Sequence, residues 1–64
     1  MRPLTEGSDV TVLYLGAREA GVVERIENGG REVVVVTESD VVLRFHLMAT
    51  AQFVTRDRSA RLQV

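Results

Sequence analysis

Apolar and polar residues alternate along this chain in short runs, and the clearest break in the alternation is its centre. Four valines, Val33–Val36, stand between Arg31-Glu32 and Thr37-Glu38. β-Branched side chains are stiff at χ1 and fit a pleated surface better than a helix. A run of four bounded by polar residues is too short for a buried helix and suits a strand covered on both faces. Neighbours in a strand point to opposite sides. Val33 and Val35 are therefore expected on one face, Val34 and Val36 on the other. Only one face can be the inside of so small a domain. The other needs a second layer, a partner, or partial exposure.

The flanking patterns predict more strands. Ser8–Leu15 places Val10, Val12 and Tyr14 on one face and Thr11, Leu13 and Leu15 on the other. Gly16–Glu19 reads as a tight connection. Ala20–Glu27 follows, with imperfect alternation and with Gly21 as the candidate bulge or bend. Asn28-Gly29-Gly30 is the strongest turn signal, because Asn and Gly tolerate positive φ, and it joins this strand to the valine strand as a hairpin. Val41–Leu47 has the cleanest period of two: Val41, Leu43, Phe45 and Leu47 against Val42, Arg44 and His46. Met48–Gln52 fits either a hairpin turn or one helical turn, and the turn is preferred. Ala51–Thr55 and Ala60–Val64 read as short strands around the polar loop Arg56–Ser59.

Twelve valines, one isoleucine and five threonines support an all-β fold. No window holds a helical stripe for three turns. The short connections suit antiparallel neighbours. The expected architecture is a small antiparallel barrel of five or six strands, or a strongly curled sheet, because curling removes exposed edges. Residues 1–64 form one domain, with Met1–Gly7 as a flexible lead-in. So short a chain buries roughly 60% of the surface it exposes when unfolded, so its stability is marginal.

The residues Gly7-Ser-Asp-Val10-Thr-Val12, then Gly16, then Gly21-Val-Val23-Glu-Arg-Ile26 resemble the opening of SH3-like small barrels of the KOW and Tudor kind. The resemblance covers about half the chain and implies a barrel fold. It does not extend to a ligand. The loop Gly16–Gly21 is shorter than the KOW loop and carries one acid and one base. A Tudor cage needs several aromatics at a barrel rim, whereas this chain has Tyr14, Phe45 and Phe53, and Phe45 belongs to a core face.

Charge and chemistry narrow the function. The net charge is −1, and all eight basic residues are Arg. That balance counts against a dedicated nucleic-acid binder without excluding a local patch. With no Cys and one His, neither a thiolate metal site nor a catalytic triad is expected, and no phosphate-binding glycine loop is present. No cofactor and no enzymatic activity are expected. The start lacks the apolar run of a signal peptide, and no apolar run approaches a membrane span. A soluble cytoplasmic protein without membrane attachment is therefore expected.

Two sites follow. The surplus apolar positions Leu13, Leu15, Val34 and Val36 are the candidate interface for a protein partner or a second copy of the chain, most simply in a homodimer. The alternative is a nucleic-acid patch of Arg44, His46, Arg56, Arg58 and Arg61, with His46 as base stacker or pH-sensitive contact. Glu24, Glu27, Glu32 and Glu38 flank the central hairpin, and Arg25 and Arg31 are their expected cross-strand partners.

Overall fold

The computed structural model describes residues 4–63. Six strands run in order: β1 (Asp9–Tyr14), β2 (Ala17–Glu27), β3 (Glu32–Thr37), β4 (Val42–Leu47), β5 (Phe53–Thr55) and β6 (Ala60–Gln63). Each pairs antiparallel with the next, and β6 pairs with β1, so the sheet closes into a barrel. There is no α-helix among the described residues. The closed antiparallel barrel is compatible with an SH3-like barrel. Among the described residues no helix is long and apolar enough to cross a membrane.

The core follows from the alternation. Val10, Val12, Val23, Val33, Val35, Phe45, Ala60 and Leu62 form one buried cluster. Phe45 lies at its centre, opposite Val33 on β3 and Thr55 on β5. Leu43 and Phe53 pack against the cluster while remaining partly exposed. Val41 and Leu47, expected to share the Phe45 face, lie at the barrel rims and are 43% and 37% exposed. A barrel core has ends, and alternation alone does not mark where they fall.

Several strand limits differ from the sequence pattern. The connection between β1 and β2 is two residues long, because Tyr14 already pairs with Ala17. Leu15 and Gly16 both have positive φ, 50° and 79°. Paired positive φ values are those of a two-residue hairpin turn whose twist matches its strands. Leu15 therefore belongs to the turn, and Ala17–Glu19 to the strand. Gly21 is not the bulge. The register shifts between Val23 and Arg25, leaving Glu24 as the extra residue. This shift turns Ile26 inward with Val23, which repairs the broken alternation. Val41 and Ala51 fall outside their expected strands, and Ala51 has φ 64° in a turn closed by Ala51 N–H donating to the Met48 carbonyl at 2.9 Å. Met48–Gln52 is thus a hairpin turn.

The lead-in is shorter than its composition predicts. Leu4 packs against the core, and Gly7 N–H donates to the Val23 carbonyl at 2.8 Å. Burial of one leucine and a bond to β2 tie residues 4–7 to the barrel. Val64, the expected end of the last strand, lies outside the described residues.

The valine strand resolves as two different situations. Val33 and Val35 fill the core. Val34 faces outward yet is only 2% exposed. Arg25 and Arg44 stand directly opposite it on β2 and β4. Long arginine stems cover apolar surface while their heads stay in water. At Val34 the second face of this strand is thus covered from within its own wall, whereas Val36 stays half-buried.

Candidate functional site

Register places outward-facing side chains in rows across the barrel. Arg18 on β2 stands opposite Leu13 on β1. Leu13 stands opposite Arg61 on β6, and Arg61 opposite Val54 on β5. The row therefore alternates cation and apolar side chain over four strands. With Leu15 and Arg58 it lines an open groove of about 590 Å³. No carboxylate lines that groove among the described residues. A smaller depression of about 230 Å³ joins His46 to Arg56 and Arg58 across Val54.

The turn between β5 and β6 is built to hold Arg56 and Arg58 outward. Asp57 Oδ1 accepts hydrogen bonds from Thr55 Oγ1 at 2.8 Å, from Ser59 Oγ at 2.7 Å and from Ser59 N–H at 3.0 Å. These donors stabilise the carboxylate and hold its pKa at about 2, against an ordinary 3.8; the Ser59 hydroxyl contributes most. Because the folded pKa lies below the unfolded one, the contribution is complete above about pH 4 and is lost as pH falls towards 2. Asp57→Asn is therefore expected to melt below the wild type at neutral pH. The gap should narrow as pH drops from about 4 to about 2. Thermal melts across that range check it, and a gap independent of pH would refute the role given to the carboxylate.

The remaining charges are largely engaged elsewhere. Glu27 accepts a hydrogen bond from Arg44 and lies 3.6 Å from Arg25 Nε. The bond from Arg44 holds the Glu27 carboxyl below its ordinary value. Glu32 lies 3.2 Å from Arg44 Nη1 and 3.6 Å from His46 Nδ1. Bonds to Glu27, then Glu32, raise the Arg44 guanidinium. Glu19 accepts from the hydroxyl and the N–H of Ser39, which lowers its carboxyl and latches β2 to the turn after β3. Exposed pairs of this kind contribute little to stability. Their consequence for the site is electrostatic: the ion pairs among the described residues reach Arg25, Arg44 and His46, but not Arg18, Arg56, Arg58 or Arg61. Arg31, expected to pair with a flanking Glu, makes no ion pair there either. Its carbonyl accepts from Leu47 N–H at 2.8 Å.

The two sites expected from sequence are thereby redistributed. Arg56, Arg58 and Arg61 do gather on one flank, with His46 at its margin. Arg44 does not join them, because Glu27 and Glu32 neutralise it on the neighbouring wall. Leu13 and Leu15 lie in the arginine groove rather than beside Val34 and Val36, from which β2 separates them. Val34 is buried. Val36 belongs to another row, Val22–Val36–Val42, in which Val22 is 44% and Val42 61% exposed. Arg18 was missed because Gly16–Glu19 reads as a loop. The Gly16 turn signal, taken as a two-residue hairpin, would have placed Arg18 opposite Leu13.

Among the described residues no three of His, Cys, Asp or Glu are grouped to hold a metal ion. No buried side-chain nitrogen or oxygen there lacks a hydrogen-bond partner. A scan against protein-family models and searches of curated proteins and of solved structures find no match to this chain.

Proposed function

We propose that this domain is a non-enzymatic interaction module, and that its docking surface is the groove formed by β5, β6, β1 and the start of β2. One observation carries this reading. Arg18, Arg58 and Arg61 converge on a concave surface that no acid lines, and no ion pair reaches them, among the described residues. The net charge of −1 hides this segregation, because none of the nine acidic side chains lines the groove. Desolvated guanidinium groups need anionic partners, and Arg provides a planar fork for carboxylate or phosphate.

Self-association draws support from a different place, the row Val22–Val36–Val42 with Val41 beside it. That row is a patch of four valines, of the scale that ordinary monomers carry. A stable interface needs roughly 800 Å² from each partner. The groove is therefore the better-supported surface. A nucleic acid would use the same groove, and the KOW-like opening of the chain favours that alternative.

The test compares two charge reversals. The Arg18→Glu, Arg61→Glu double variant is expected to lose salt-sensitive retention on immobilised heparin and on immobilised polyglutamate. Arg25→Glu, which alters a paired arginine outside the groove, should keep it. Equal retention of both variants would defeat the reading.

A further inference from the structure

The geometry points to a protein segment carrying both acidic and apolar residues as the partner of this groove, an inference that rests on the docking function proposed above. The lining is half apolar. Leu13 and Val54 are partly exposed between the arginines, and Leu15 is 78% exposed at the rim. Leu15 also has φ 50°, in a turn position that favours Asn or Gly. A large apolar residue held in the left-handed region, with its side chain in water, works against local stability. Backbone strain of this kind is a reason to look for function. Here the turn presents an apolar side chain beside Arg18 and Arg58, where a bound ligand would cover it.

The same lining disfavours nucleic acid. Bases bind single-strand sites mainly by stacking on aromatic side chains. No aromatic residue lines the groove. Tyr14 lines a separate depression with Arg18, Glu19 and Ser39. Carboxylates on the guanidinium groups and aliphatic side chains on Leu13, Leu15 and Val54 satisfy both halves of the surface, whereas a phosphate chain satisfies only one.

Fluorescence anisotropy at low salt separates the possibilities. The probes are a short labelled peptide of glutamates and leucines, the same peptide with serine for leucine, and a mixed-sequence single-stranded RNA. The glutamate–leucine peptide is expected to bind, and the serine version to bind roughly tenfold more weakly, the cost of leaving a leucine unburied. Leu15→Gly in the domain is expected to cause a comparable loss while the melting temperature stays level or rises, because Gly relieves the turn. That split separates a binding role from a folding role. Equal binding of the two peptides, tighter binding of the RNA, or undiminished binding by Leu15→Gly would overturn this inference and leave the docking reading standing. Absence of binding to every probe, polyglutamate and heparin included, would overturn both.

Discussion

Replacing Phe45 with Ala is expected to leave the domain mostly unfolded at room temperature. Phe45 is fully buried and is the largest side chain in the centre of the barrel. It bridges walls, facing Val33 on one side and Thr55 on the other. Truncating a buried Phe costs about 3–5 kcal/mol in lost transfer energy and residual cavity. At roughly 0.05–0.15 kcal/mol per residue, a chain of this length has about 3–10 kcal/mol in total. Small domains tend towards the lower end, because so much of their surface stays exposed. The loss is therefore comparable to the whole stability. Circular dichroism and urea titration of Phe45→Ala check this, with Phe45→Leu as a control that keeps most of the volume and should fold. A cooperative Phe45→Ala transition less than about 1 kcal/mol below the wild type would show that the core does not close around this ring.

The same residue shows why the fold was legible. Phe45 stands in the cleanest alternation of the chain, and Val33 and Val35 alternate with outward neighbours in the strand it pairs with. Period-two burial with turn signals between runs suffices for an antiparallel all-β fold. The excess of β-branched residues pushes the same way. Closure was less legible. It depends on β1 meeting β6 and on a single register pair, Val54 with Arg61, between β5 and β6. The β1–β6 contact joins opposite ends of the chain, and no local pattern encodes it.

The site was read only in pieces, for a specific reason. Charge and apolarity were visible residue by residue, but a surface is made by register. One misjudged turn was enough: treating Gly16–Glu19 as a loop removed Arg18 from the strand and separated Leu13 from its cationic neighbours. Arg44 illustrates the opposite error. It is as basic as Arg61 in sequence, yet the register sets it opposite Val34 and within reach of Glu27 and Glu32. Val34 misled in a third way. Two apolar faces suggested a missing partner, but arginine stems on adjacent strands can cover a valine without one.

Gly21 supplies the sharpest test of how tightly the walls approach. Its φ is not in the left-handed region, so the backbone itself would accept a side chain. The obstacle is space. A Cβ there would stand 2.7 Å from Val35 Cγ1, 3.2 Å from the Val36 carbonyl oxygen and 3.5 Å from Val12 Cγ2. The first distance is impossible without movement. Val35 is fully buried among core side chains, and the Val36 carbonyl belongs to the backbone. Overpacking of this kind costs about 1–3 kcal/mol. Gly21→Ala is therefore expected to lower the melting temperature by roughly 5–20 °C, at about 4–8 °C per kcal/mol for a domain of this size. Val35→Ala alone should also destabilise, by leaving a cavity. Combined, the two changes should cost less than their sum, because the new methyl enters the space the valine vacates. Strict additivity in that double-mutant cycle would mean that Gly21 and Val35 are not in contact. The absent side chain lets β2 pass between Val12 of β1 and Val35 of β3.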